Sequence, residues 1–226
     1  KNSIDTSSKV LNSIDTWKKT IYPKSDGQNK YIQAVNEYDV IFGLGPAGTG
    51  KSYLAVAKAV QSLKKGHIDK IILSRPAVEA GENLGFLPGD MKDKVDPYLR
   101  PIYDALYEMM PFETVEKKIQ EGIIEIAPVA FMRGRTFKNS FIIIDEAQNT
   151  SSIQMKMILT RLGYGSKMII NGDLTQIDIK YINDSGLSTA KKKLSNLKTI
   201  KFINLNKKDV VRHKIVSEII SAYEKW

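Results

Sequence analysis

The chain has no cysteine and only two histidines, His67 and His213, in 226 residues. Without thiols it cannot carry a disulfide framework, an iron–sulfur cluster, thiolate zinc or a cysteine nucleophile. Two imidazoles are too few for a His-rich metal site. No apolar run approaches the roughly 18 residues of a membrane span, and the opening Lys1-Asn2-Ser3-Ile4-Asp5 lacks the apolar block of a signal peptide. The expected setting is cytoplasmic, with no membrane partner; the first residue is Lys rather than Met, as in a trimmed chain. Arginine is scarce, 6 residues against 28 lysines, so each guanidinium merits a specific reason. Acidic residues number 25 against 34 basic ones, a net charge of +9 that suits association with polyanions and says nothing of fold. With 42% apolar and 26% charged residues the composition is that of a globular protein long enough to bury one core.

Residues 1–22 are polar, with Leu11, Ile14, Trp17 and Ile21 at roughly helical spacing; they predict a lead-in segment with a short amphipathic helix. Residues 23–226 read as one domain. From residue 39 short apolar runs alternate with longer helical patterns. The runs predict strands at Val40–Gly43, Lys70–Ser74, Ile123–Ala127, Phe141–Asp145, Lys167–Asn171 and Ile200–Asn204. The longer patterns predict helices at Lys51–Lys64, Asp96–Met110, Phe112–Gln120, Ser152–Leu162 and Val210–Tyr223. Ser151 and Gln154 have capping-box spacing. Near-continuous apolar strands separated by helices imply an α/β fold, a parallel sheet with helices on both faces. Ligands of such sheets sit at the carboxyl ends of the strands.

The chemistry-bearing motifs fall at those ends. Gly45, Pro46, Ala47, Gly48, Thr49, Gly50, Lys51 and Ser52 fit G-x-x-x-x-G-K-[ST] completely, between a strand and an apolar helix, as a P-loop requires. The glycines let backbone N–H groups wrap an anion at a helix N-terminus. Lys51 is placed to reach β- and γ-phosphates and the Ser52 hydroxyl to ligate Mg²⁺; Tyr53 extends the cofactor-binding stretch by one residue. The strand Phe141–Ile144 runs into Asp145, the Mg²⁺-side acid, and Glu146, which can polarise an attacking water as general base. Two acids at a strand end are by themselves usually a solvated turn; a full P-loop upstream favours the catalytic reading. Gln176, after Asn171-Gly172-Asp173, is expected to reach the γ-phosphate or its water rather than to sit in an ordinary Asn-Gly-Asp turn.

Pro23–Gln28, the P-loop, the stretch Ser74–Asp90, Arg133–Phe137, the Asp145 box, Gly172–Gln176 and Asp209–His213 together resemble the PhoH-like, phosphate-starvation-inducible ATPase family. The match runs from about residue 20 to 223. The resemblance implies a RecA-like P-loop NTPase similar to the first motor domain of superfamily-one helicases, with ATP and Mg²⁺ as cofactors and a link to RNA metabolism. It also implies homo-oligomers, hexameric rings among them. Gln28 is similar to the Gln that reads adenine in helicase-type motors, where the amide pairs with N6 and N7; a polar helix-start residue is the bland alternative. Lys180 and Lys214 stand where the family often has Pro. Since one chain is too short for two motor domains, an arginine from a neighbour is expected at the γ-phosphate. Arg212 is the first candidate, acting in trans or completing its own site, and Arg133 and Arg135 are the others. Two further readings stay open. Asn206-Lys207-Lys208-Asp209 matches the N-K-x-D form of guanine recognition, although no D-x-x-G follows Asp145 and Asp209 can instead cap the helix after it. A nucleotide-gated module with little turnover could bind single-stranded RNA through Lys191, Lys192, Lys193, Lys198, Lys201, Lys207 and Lys208, although lysine runs are more often solvated faces.

Overall fold

The computed structural model describes residues 12–76, 91–177, 185–212 and 214–223. Most of the stretch Ser74–Asp90, together with Leu11, Lys180 and His213, lies outside them. Within the segment expected to be helical, β1 (Ile14–Asp15) runs antiparallel to β2 (Thr20–Ile21). Ile14 and Ile21 pair across this ribbon and are both buried, whereas Trp17 in the turn is 37% exposed. Thr16 closes the turn through Oγ1 to the Lys19 carbonyl at 2.6 Å, and the Lys18 N–H donates to the Met109 carbonyl at 3.1 Å. The apolar spacing thus belongs to a hairpin that covers the core, not to a helix.

After α1 (Asp26–Glu37), six strands build the sheet: β3 (Val40–Leu44), β4 (Lys70–Arg75), β5 (Ile124–Pro128), β6 (Ser140–Ile144), β7 (Lys167–Gly172) and β8 (Ile200–Asn204). Their order is β5-β4-β6-β7-β3-β8, and every pairing is parallel. The connecting helices are α2 (Lys51–Lys64), α3 (Met91–Met109), α4 (Phe112–Gln120), α5 (Ser152–Leu159) and α6 (Gly186–Leu194), with α7 (Lys214–Tyr223) after β8. Strand residues alternate between two cores, as period-two geometry demands. Ile41, Phe141, Ile143 and Ile169 join Ile14, Tyr31, Leu54, Leu106 and Met109 on one face. Phe42, Ile142, Ile144, Met168 and Ile170 join Met155, Ile158 and Leu187 on the other. Burial on both faces is why these strands read as unbroken apolar runs.

Three helices differ in extent from expectation. The helix expected from Asp96 begins earlier, at Met91. The α5 capping box is present, with the Gln154 N–H on Ser151 Oγ at 3.2 Å and the Ser151 N–H on Gln154 Oε1 at 2.9 Å. The helix nevertheless stops at Leu159, because Phe137 captures the next residues: its N–H donates to the Arg161 carbonyl at 2.9 Å, and the Gly163 N–H donates to its carbonyl at 2.7 Å. α7 starts at Lys214 instead of Val210, and Asp209 does not cap it; Lys207–Asp209 form a 3₁₀ turn whose carboxylate points elsewhere. Register aligns the working ends of the strands. Leu44 pairs with Gly172, Ile170 with Ile144, and Ile144 with Ser74, so the P-loop, the Asp145 turn and the Asp173 loop leave the sheet on one edge.

Candidate active site

The loop between β3 and α2 closes around its own lysine. Lys51 Nζ donates to the carbonyls of Gly45 at 2.6 Å and Pro46 at 2.9 Å, and lies 3.3 Å from Thr49 Oγ1. Gly48 has φ 83°, a backbone conformation that favours glycine, and a Cβ there would have to displace the Arg212 guanidinium. α2 opens on Gly50 without a side-chain cap, which leaves its first N–H groups facing the loop. Lys51 and Ser52 line a cleft of about 240 Å³ with Asp145, Glu146, Asp173 and Gln176; Ala47, Gly48, Gly50 and Tyr53 complete its P-loop wall. A larger cavity of about 740 Å³ opens between His67, Lys138 and Lys167. Lys138 and Lys167 flank the starts of β6 and β7, so that cavity belongs to the end of the sheet away from the P-loop.

Across the cleft Ser52 Oγ donates to Asp145 Oδ1 at 2.6 Å. Burial pushes the Asp145 carboxyl up, opposed by the Ser52 hydrogen bond; burial pushes the Lys51 ammonium down, opposed by the charges of Asp145, Asp173 and Glu146. Glu146 stands at φ 52°, a left-handed conformation uncommon outside glycine. Its Oε1 lies 3.4 Å from Arg75 Nη2, and its Oε2 accepts from Gln148 Nε2 at 2.6 Å. Asp173 accepts both the N–H and the hydroxyl of Thr175 on Oδ1, while Oδ2 is buried without a hydrogen-bond partner. Gln176 is exposed at the mouth, its N–H on the Asp173 carbonyl at 3.2 Å.

Gln28 lies behind the P-loop rather than on the cleft wall. Nε2 donates to the Thr49 carbonyl at 3.0 Å and Oε1 accepts the Lys24 N–H at 2.7 Å. The residue one turn on, Tyr31, passes under the loop to Asn171 Oδ1 at 2.8 Å; burial pushes its phenol up. Asp209 holds the same helix end, accepting Ser25 Oγ at 2.7 Å and the N–H groups of Gly27 at 3.1 Å and Asn206 at 2.8 Å. Arg212 lies in the strap between the 3₁₀ turn and α7, where the Val211 N–H donates to the Gly48 carbonyl at 2.9 Å. Arg135 is elsewhere: it forms a two-pronged pair with Glu125 on the outer strand β5 and stacks on Phe137. Arg133 is exposed after a second 3₁₀ turn, Val129–Met132. Sequence reasoning missed Arg75, Gln148, Tyr31 and the anchoring role of Asp209. Each works through partners far along the chain or through an unremarkable residue type, so only the fold reveals it.

A doubly covered parallel sheet with this cradle at its carboxyl edge defines a RecA-like P-loop NTPase domain. The sequence pattern of the family described as PhoH-like protein matches residues 20–224, and the chain belongs to that family. It is 59% identical over 207 residues to the PhoH-like protein of Bacillus subtilis (strain 168), covering 92% of this chain and 65% of that protein. It is 40% identical over 205 residues to Protein PhoH of Escherichia coli (strain K12), covering 90% of this chain and 58% of that protein. The chain therefore spans about three-fifths of the length of these relatives. Among solved structures it is similar to the Pif1 helicase from Candida albicans, with 16% identity over 87% of this chain and 42% of that one, at a TM-score of 0.42. No helix among the described residues is long and apolar enough to cross a membrane.

Proposed function

We propose that this domain binds ATP and hydrolyses it with Mg²⁺, and that turnover is coupled to single-stranded RNA. The observation that carries the hydrolysis reading is the 2.6 Å contact of Ser52 Oγ with Asp145 Oδ1, with Glu146 one residue beyond it. A hydroxyl and a carboxylate are hard oxygen donors, and Mg²⁺ takes few protein ligands, filling the rest with water and phosphate. The pair therefore fits the ion without the cage of three or more acidic or imidazole side chains, none of which is found among the described residues. Held by Ser52 and Asp145, Mg²⁺ would supply electrostatic stabilisation of the charge that develops on the phosphate oxygens. The protein side is then specific. Lys51 exchanges its loop carbonyls for phosphate oxygens, the N–H groups from Ala47 to Ser52 wrap the phosphate chain, and Tyr53 borders it. Glu146 accepts the proton of the attacking water, and Gln176 meets the γ-phosphate from the mouth. Arg212, lying on Gly48, adds positive charge beside the cradle. Gln28 keeps one lone pair and one N–H beyond its present bonds, which match N6 and N7 of adenine.

Guanine recognition by Asn206–Asp209 is disfavoured because the Asp209 carboxylate is occupied by Ser25, Gly27 and Asn206. The RNA part of the proposal is supported by the +9 charge and by exposed Lys192, Lys193, Lys198, Lys201, Lys207 and Lys208 on α6, the connection to β8, β8 itself and the turn after it. The test is steady-state ATP turnover of the parent and of Glu146→Gln, with and without single-stranded RNA, beside competition between ATP and GTP. The Gln variant binds ATP as the parent does and turns over about 10² to 10⁴ times more slowly; RNA raises the parental rate. Equal rates remove Glu146 from the mechanism. RNA binding with no turnover in any condition favours the nucleotide-gated binder, and a GTP preference revives the guanine reading.

A further inference from the structure

Gln148 is buried to 1% exposure in the 3₁₀ turn Ala147–Asn149, three residues past Asp145, and no step above uses it. Its side chain spans two loops: Nε2 donates to Glu146 Oε2 at 2.6 Å, and Oε1 accepts the backbone N–H of Asp173 at 3.1 Å. These partners fix the amide orientation, because a flipped amide would oppose donor to donor and acceptor to acceptor. The packing leaves no slack. A Cβ on Gly172 would stand 2.8 Å from Gln148 Oε1 and 3.1 Å from its backbone nitrogen. A third tie runs to α6, whose N-cap hydroxyl, Ser185 Oγ, donates to the Gln148 carbonyl at 3.2 Å. Glu146 needs such a hold: its backbone is left-handed, its side chain is 36% exposed, and its other oxygen has Arg75 at 3.4 Å.

We propose that Gln148 is a positioning residue that locks the Glu146 carboxylate in register with the β7 loop, so that one side chain sets both the proton acceptor and the turn carrying Gln176. The inference rests on the hydrolysis reading above, with Glu146 as base; Gln148 itself touches no substrate. The loop end of the lock is closed by the Gln176 N–H on the Asp173 carbonyl, so a shift of Asp173 moves Gln176 with it.

The test measures ATP turnover, affinity for a fluorescent ATP analogue with Mg²⁺, and the thermal midpoint for five proteins. These are the parent, Gln148→Met, Gln148→Glu, Glu146→Gln and the double variant Glu146→Gln/Gln148→Met. Met keeps the length and loses both bonds; Glu keeps the acceptor for the Asp173 N–H and loses the donor to Glu146. Both single Gln148 variants are expected to lower kcat by about 10²-fold, the scale of a small misplacement of a reacting group. Affinity should stay within about threefold, because the interaction operates in the transition state. In the Glu146→Gln background the Met substitution should cost nothing further, since the carboxylate it orients is gone. An equal cost in both backgrounds marks a structural residue and overturns the proposal, as does a parental kcat in either single variant. Gln148→Glu retains the tie to Asp173, so its kcat decides between the two outcomes if the Met variant does not fold. A parent without ATP turnover overturns the hydrolysis reading itself, a result distinct from both.

Discussion

Lys51 directs its ammonium at Gly45, Pro46 and Thr49 of its own loop, the place a phosphate would occupy. Lys51→Ala should weaken ATP binding by roughly tenfold to 10²-fold, the worth of a charge-assisted hydrogen bond, measured by titration of a fluorescent analogue. Glu146 illustrates a different residue-scale cost. At φ 52° any Cβ is strained and glycine is not. Glu146→Gly and Glu146→Ala both lose turnover and the contacts with Gln148 and Arg75. The Gly variant should nevertheless be more stable than the Ala variant by about 1 kcal/mol, a midpoint about 2–4 °C higher by calorimetry; a lower Gly midpoint would show that the turn carries no strain. Lys58 gives a pH prediction. Burial first, then the charges of Lys65 and Lys167, push its ammonium from 10.5 down to about 8, with Gln61 Oε1 as its hydrogen-bond partner. The folded protein therefore releases this proton before the unfolded chain does, so stability from this group rises between about pH 8 and pH 10.5. Lys58→Met should raise the midpoint at pH 7, and the gain should shrink as pH passes through that window. At this scale the sequence displays contiguous signals, such as Gly45–Ser52 and Asp145-Glu146. It hides Gln148 and Asp209, whose partners lie 25 and 184 positions away.

The six sheet strands are legible in the sequence to within a residue at each end: two-sided burial keeps the inner ones nearly all apolar, and the edge strands β5 and β8 set Glu125 and Lys201 singly among apolar residues. The helices α2 and α4 are legible because their apolar stripes are long. Three elements are not. α1 begins after Pro23 and carries Gly27 in its first turn, and its stripe of Tyr31, Ile32, Ala34 and Val35 is interrupted by polar residues that face solvent. α6 has only Leu187, Ala190 and Leu194 on its inner side, among lysines that read as a charged run. The hairpin is mistaken for a helix because Ile14, Trp17 and Ile21 satisfy a 3.6 period by chance, and four paired residues hold too little strand pattern to oppose it. Its ties are tertiary: Lys64 reaches Asp15 and the Thr16 carbonyl, and Lys19 pairs with Glu108. Since Ile14 is fully buried against α2, Ile14→Ala should cost about 2–5 kcal/mol, whereas truncating the partly exposed Trp17 should cost less. Urea unfolding of the two variants decides it; equal small losses would mean that the ribbon is only laid on the surface.

At the scale of the whole chain, the proposed RNA binding and assembly are tested through charge and through Arg212. With +9 overall, RNA held by lysines must release counterions. Its affinity should fall steeply, by roughly tenfold or more, between 50 and 200 mM salt; binding indifferent to salt would reduce the lysines to composition. Assembly turns on Arg212. An arginine at the γ-phosphate is worth about 10³ to 10⁵ in rate, and a homo-oligomer could supply it from a neighbour. The geometry favours the chain's own site. The Val211 N–H is bonded to the Gly48 carbonyl at 2.9 Å, and the guanidinium occupies the space a Gly48 Cβ would take. A strap fastened to the P-loop one residue before the arginine leaves that side chain little freedom to reach across an interface. Arg212→Ala protein mixed with Glu146→Gln protein separates the two arrangements. If Arg212 serves a neighbour, an oligomer holding both variants contains some junctions where an intact Arg212 meets an intact Glu146, and part of the ATP turnover returns. If it serves its own cradle, every subunit in the mixture lacks one of the two groups. No recovery is then expected, even where mass measurement shows mixed oligomers. The in-cis reading predicts a flat mixing curve, and a rate maximum near equal proportions would transfer Arg212 to the neighbouring subunit's site.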